Sequence, residues 1–141
     1  MISPNGIGLS SDESVLYVAE TITARLWAFE LDAPGVIRRS NSGAPHGGRM
    51  LFASPVYQSF DSLAVDSEGN ICIATLLTGG ITVISSSGRQ LDFVKCPDPY
   101  TTNICFGGAD LRTAFATSSG HGELISFPWS CPGLPLNFLN K

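Results

Sequence analysis

The chain has 141 residues, 43% hydrophobic and 14% charged, with 15 glycines and nine prolines. Such a chain is globular and long enough to bury a core, and its glycines, prolines and lack of helical periodicity favour short strands joined by many turns. A net charge of −4 and a pI near 4.9 exclude a nucleic-acid surface, which needs clustered Lys and Arg; with no run of about 18 apolar residues and no basic-then-apolar leader, no membrane partner is expected and the chain reads as cytoplasmic.

The first unit opens on Asn5-Gly6-Ile7-Gly8-Leu9, turns through Ser10-Ser11-Asp12-Glu13-Ser14 and returns as Val15 to Ala19. Two short apolar runs around an acidic turn predict a β-hairpin. Glu20 follows the second strand and is a candidate for either solvent or a channel. Arg25-Leu26-Trp27-Ala28-Phe29-Glu30-Leu31 has strand period, Asp32-Ala33-Pro34-Gly35 is a turn, and Val36 to Arg39 or Arg49 to Ala53 supplies an outer fourth strand. Between these, residues 40–48 are polar with proline and glycine, a surface insertion.

The hairpin recurs as Asp61-Ser62-Leu63-Ala64-Val65, the turn Asp66-Ser67-Glu68-Gly69-Asn70 and Ile71 to Ala74. Gly80 to Ser85 and Gln90 to Lys95 extend this second unit. It recurs again as Asn103 to Gly107, the turn Gly108-Ala109-Asp110-Leu111 and Thr113 to Thr117, followed by Glu123 to Phe127 and a proline-bearing tail without a fourth strand. Asp61 and Asn103 lie 42 residues apart, within the period of about 40–45 residues of one four-stranded propeller blade. The longer spacing from Asn5 to Asp61 is accounted for by the insertion.

An antiparallel sheet repeated radially is a β-propeller, so the expected fold class is all-β. Blade A covers about 1–56, blade B about 57–98 and blade C about 99–130, with a tail at 131–141. Rings have about four to eight blades, so three blades predict about half a propeller, prone to self-association or to pairing with a missing N-terminal half. The innermost strands start at one face of the channel, so Asn5, Asp61 and Asn103 should stand around its mouth. Asp12, Asp66 and Asp110 sit in hairpin turns and read as structural. Cys72 and Cys105 lie in apolar strand runs and read as buried thiols; His46 and His121 read as solvated turn residues.

Ser3-Pro4-Asn5-Gly6-Ile7 with Leu16 to Thr21, Phe60 to Asp66 with Glu68-Gly69-Asn70, and Thr102 to Gly108 with Asp110 to Thr113 resemble three consecutive blades of the SMP-30/gluconolactonase/luciferin-regenerating-enzyme family. The resemblance implies a six-bladed propeller, with this chain as its C-terminal half. It implies a metal-dependent hydrolase acting on sugar lactones through one divalent ion, Ca²⁺, Zn²⁺, Mn²⁺ or Mg²⁺. Asn5 and Asp61 match two of the family's metal ligands, and Asp61 also its general acid/base. The family's third ligand, a glutamate near the N-terminus, has no counterpart. Phe60 replaces the commoner proline before the aspartate and is expected to reshape the substrate pocket, with Asn103 as a further pocket-lining residue. The competing expectations are a non-catalytic interaction propeller and an inactive fragment.

Overall fold

The computed structural model describes residues 1–39 and 43–136; among these there are strands and turns and no helix. The first sheet contains Pro4–Leu9 (β1), Val15–Glu20 (β2) and Arg25–Ala33 (β3) in order, with Val36–Ile37 (β4) and Arg49–Ala53 (β5) both paired to β3. Both candidates for the outer strand are therefore used, β5 along Arg25–Ala28 and β4 along Leu31–Ala33. The second sheet runs Ser59–Val65 (β6), Ile71–Leu76 (β7), Gly80–Ile84 (β8) and Gln90–Lys95 (β9). The third has three strands, Thr101–Gly107 (β10), Thr113–Ser118 (β11) and Glu123–Pro128 (β12). Pairing within the sheets is antiparallel.

The acidic turns explain why the hairpins close. Asp12 accepts from the Ser10 and Ser14 hydroxyls (2.7 and 2.8 Å) and the Ser14 N–H (3.1 Å), bonds that hold its carboxyl at about 2. Asp66 accepts from the Glu68 and Asn70 N–H groups at 3.0 and 2.9 Å, and Asp110 from that of Arg112 at 3.1 Å. A short carboxylate bonding the backbone two to four residues on mimics a backbone turn.

The second sheet lies between the other two, which is why β7 and β8 are buried on both faces and apolar almost throughout. Leu26, Phe60, Leu63, Ile71 and Ile73 fill the space against the first sheet; Ile81, Val83, Ile104, Ala114 and Trp129 fill that against the third. The tail is less open than its prolines suggest. Trp129 is buried between Phe106 and Phe127, at ring distances of 5.5 and 6.0 Å. Pro132 accepts from the Ser67 N–H and Leu134 donates to the Val65 carbonyl, tying the tail to the far ends of the inner strands. The rest of the tail, residues 137–141, and positions 40–42 of the insertion lie outside the described residues.

Two expectations change. Cys105 is exposed while Cys72, Cys96 and Cys131 are buried: strand alternation turns Ile104 into the core and its neighbour outward. His46 is not a solvated turn residue. Its ring packs edge-on against Trp27 at 4.5 Å and tilts over Phe29 at 5.6 Å, so this part of the insertion lies over the outer face of the first sheet.

Candidate functional site

The strands β1, β6 and β10 each begin a sheet and keep one edge outside their own ladder. β1 lies directly on β6. A Cβ at Gly6 would stand 2.6 Å from the Asp61 carbonyl oxygen and 2.7 Å from the Leu63 nitrogen, an approach only glycine permits. Each inner strand carries a register shift near its start, between Pro4 and Ile7, between Phe60 and Leu63, and between Thr101 and Asn103. Bulges bend a strand and re-aim its side chains. Asn5 and Asp61 fall inside their bulges, and Asn103 sits at the edge of its own.

The bulges bring Asn5 and Asp61 together across the two strands, with the Asn5 Nδ2 donating to the Asp61 Oδ1. Asn5 is exposed and Asp61 half-buried. Burial pushes the Asp61 carboxyl above its ordinary range, and the Asn5 hydrogen bond works against that. Asn103 is exposed at the start of β10 but bonds its own strand, its Oδ1 accepting from the Ile104 N–H at 2.8 Å. Phe60 is fully buried and stacks on Phe52 at 6.2 Å, because neighbours along a strand face opposite sides; the structure places it in the core rather than on a pocket wall.

Glu20 faces neither solvent nor a channel. It is buried and accepts from the Ile2 N–H, the Thr23 hydroxyl (2.6 Å) and the Trp27 indole (3.0 Å). Burial alone would raise its carboxyl, but these bonds outweigh it and hold it below the usual range. It thereby pins the entry to β1 just ahead of Asn5. The sequence reading missed Asp98, which is fully buried and accepts from the N–H groups of Tyr100 and His121, each at 2.7 Å. Prolines on both sides of Asp98 were the available signal. His121 is exposed, its ring 3.7 Å from that carboxylate.

Two grooves adjoin these strands. One of about 450 Å³ lies beside Asn5, bordered by Pro4, Val18, Phe29 and His46. The other, about 600 Å³, lies toward the far ends of β1, β6 and β10 and is lined by Leu9, Leu16, Leu63, Phe106, Leu134 and Leu136. A carboxylate and an amide oxygen are hard donors of the kind Ca²⁺, Mg²⁺ or Mn²⁺ prefers, so the donor chemistry of the Asn5–Asp61 pair fits a divalent ion. It supplies two donors, and among the described residues no group of three His, Cys, Asp or Glu residues is placed to hold a metal. Among the same residues no helix is long and apolar enough to cross a membrane.

Comparison with known proteins agrees with this architecture. The pattern described as SMP-30/Gluconolactonase/LRE-like region matches residues 1–120. The chain is 31% identical over 136 residues to a 6-deoxy-6-sulfogluconolactonase of Pseudomonas putida, covering 89% of this chain and 43% of that protein. Its fold superimposes on the calcium-binding protein regucalcin from Agrobacterium tumefaciens with a TM-score of 0.76 at 22% identity, over 94% of this chain and 47% of the other. A gluconolactonase from Xanthomonas campestris matches with a TM-score of 0.70 at 25% identity, over 91% and 38%. The chain thus spans less than half the length of the curated relatives it matches.

Proposed function

The chain belongs to the SMP-30/gluconolactonase/LRE-like family, and from that premise we propose that it forms half of a six-bladed propeller that hydrolyses lactones with one divalent ion. In this reading residues 1–56, 57–98 and 99–130 are successive blades, 131–141 the tail, and the start of each inner strand faces a common channel mouth. The observation that carries it is the pairing of Asn5 with Asp61 at adjacent bulges.

Asn5 and Asp61 would hold the ion, which when bound polarises the lactone carbonyl and acidifies a water. Asp61 would accept the attacking water's proton as the water oxygen adds to the lactone carbonyl carbon. The ring C–O bond then breaks, and Asp61 returns the proton to the departing alcohol oxygen. Asn5 exchanges no proton and acts as a ligand. Asn103 stands at the same end as a polar group for the substrate.

A second reading, an inactive or purely binding fragment, is favoured by the two-donor site. Acid release from glucono-1,5-lactone, followed with each of the four ions, decides between them. The measurement uses this chain beside a version extended upstream. Metal-stimulated turnover lost in Asp61→Ala is expected. Near-normal turnover by Asp61→Ala at saturating metal would remove the acid/base assignment, and no turnover by either version would favour the second reading.

A further inference from the structure

The last strand of a sheet leaves its outer N–H and C=O groups open to any strand that can pair with them. In the first two sheets the third strand is covered: β3 pairs β5 and β4, and β8 pairs β9. The third strand of the third sheet, β12, pairs β11 on one edge, and among the described residues no strand pairs the other. Past Pro128 the chain turns away to bury Trp129 and to bond β6 through Leu134, so residues 129–136 supply no fourth strand. Burial follows this difference. β8 is buried throughout, whereas Glu123, Leu124, Ser126 and Pro128 of β12 are exposed, Leu124 at 70%.

The outer edges of the three sheets are not equally defended. β9 carries Asp92 and Lys95 and meets β8 through a register shift at Val83–Ile84. β5 begins on Arg49 and meets β3 through a shift at Leu26–Trp27, and β4 is two residues followed by Arg38 and Arg39. Charges, bulges and shortness of this kind blunt an edge against further pairing. The register of β12 on β11 is unbroken from Glu123 to Pro128, and its one charged residue, Glu123, stands at its first position. Arg112 lies past the other end, its guanidinium donated to the Ser130 carbonyl at 2.6 Å.

The phase of the ladder says which groups this edge offers. Antiparallel pairs alternate between hydrogen-bonded and non-bonded, and the Trp129 N–H donates to the Arg112 carbonyl at 2.8 Å. Followed back along the unbroken register, Phe127, Ile125 and Glu123 turn their backbone groups to β11, whereas Leu124 and Ser126 turn theirs outward. Pro128 fits this phase, since its missing N–H falls on the outer edge and costs no ladder bond. Ile125 and Phe127 pack on the core shared with the second sheet, which leaves Leu124 and Ser126 on the opposite face.

We propose that the outer edge of β12 pairs with β12 of a second copy of this chain, antiparallel about a two-fold axis at Ile125. In that register Leu124 and Ser126 of one copy exchange N–H···O=C bonds with Ser126 and Leu124 of the other. Ile125 meets Ile125 as a non-hydrogen-bonded pair, where β-branched side chains approach most closely. Glu123 stands opposite Phe127, so no like charges face each other. The axis makes one strand serve as both halves of the interface, and the edge is complementary to itself in backbone groups, apolar residues and charge. This pairing is independent of the lactone-hydrolysing reading, since neither Asn5 nor Asp61 takes part.

Sedimentation equilibrium of the full chain over a range of concentrations tests it. One strand pair is a small interface, so a reversible dimer with a Kd on the order of 10 μM is expected. Ser126→Pro deletes an outward N–H and none of the bonds to β11, and Leu124→Lys places a cation on the edge; each should weaken the dimer at least about tenfold. Leu91→Lys, at an exposed position of β9, is the control and should leave it unchanged. Amide exchange at Leu124 and Ser126 should slow as concentration rises. If Ser126→Pro fails to fold, Leu124→Lys and the exchange profile decide. A chain monomeric at about 300 μM, well above that Kd, overturns the proposal, as does a dimer insensitive to both β12 substitutions or equally sensitive to Leu91→Lys. Protection of Leu124 and Ser126 at every concentration means that another segment already pairs this edge, and overturns it as well.

Discussion

Gly6→Ala is expected to be among the most damaging single-methyl additions in the chain. The new Cβ would stand 2.6 Å from the Asp61 carbonyl oxygen, 2.7 Å from the Leu63 nitrogen and 2.8 Å from the Ser62 carbonyl carbon. All three are backbone atoms of a strand paired to β7, so none swings aside. Ordinary contact begins near 3.4 Å, and β1 must therefore lift off β6 by roughly half an ångström to one ångström. Overpacking costs about 1–3 kcal/mol, and a rigid neighbour places this site at the upper end, about 3 kcal/mol. At roughly 3–4 °C per kcal/mol for a chain of this size, Tm should fall by about 10 °C. Gly8→Ala is the comparison. Its nearest atom, also at 2.8 Å, is the Cδ1 of Leu63, the movable end of a side chain, and the cost should stay below about 1 kcal/mol. Thermal and urea unfolding of both variants measure the difference. A Gly6→Ala midpoint within about 2 °C of the parent, or a Gly8→Ala cost equal to it, would refute the claim that backbone contact sets the spacing of β1 and β6.

Three further outcomes follow from the same geometry. The Asp98 carboxyl is held low chiefly by the Tyr100 N–H, with burial opposing and the His121 and Gly120 N–H groups and the His121 charge assisting. Its folded value thus lies below the unfolded one of about 3.9, so its stabilisation is complete above that pH and drains as pH falls toward the folded value; Asp98→Asn should flatten the acid limb of Tm against pH. Alkylation of the native protein should modify Cys105 first, because burial pushes the Cys131 thiol up to about 11 and raises those of Cys72 and Cys96 as well; mass spectrometry showing Cys72 labelled as fast as Cys105 would contradict the burial. In lactonase assays Asn5→Ala should recover part of its rate at high metal concentration while Asp61→Ala does not, since only the latter loses a base as well as a ligand; equal rescue would assign both residues to ligation alone.

Much of this was legible from residue types. The acidic turns at Asp12, Asp66 and Asp110 announced three hairpins because a carboxylate two to four residues from free N–H groups closes a turn locally, and the structure makes those bonds. The strands β7 and β8 were legible because burial on both faces demands apolar residues at almost every position. What was not legible depends on partners remote in the chain. Phe60 was read from its place beside Asp61, whereas its environment is set by Phe52 and the first sheet. His46 was read from a polar, glycine-bearing segment, but Trp27 and Phe29, seventeen or more residues earlier on β3, decide its setting. Asp98 lies in a segment with no periodicity, and one of its backbone partners is in a turn more than twenty residues later.

The position of the candidate site follows from what each strand has left to offer. A strand inside a ladder spends its backbone on two neighbours and alternates its side chains between two packed faces. The first strand of each sheet keeps one edge outside its own ladder. A bulge there disturbs one pairing instead of two and turns a polar side chain toward the neighbouring inner strand. Three sheets that each place a bulge at the start of the first strand repeat the same opportunity. β10 also lies against β6, but the polar groups meet where Gly6 lets β1 close on β6. Asn103, on a strand whose bulge is offset by one position and whose amide is engaged by its own backbone, does not join the pair. The contact between Asn5 and Asp61 is therefore the product of a glycine and two bulges. Moving either bulge by one residue would turn the side chain to the opposite face of its sheet and dissolve the site.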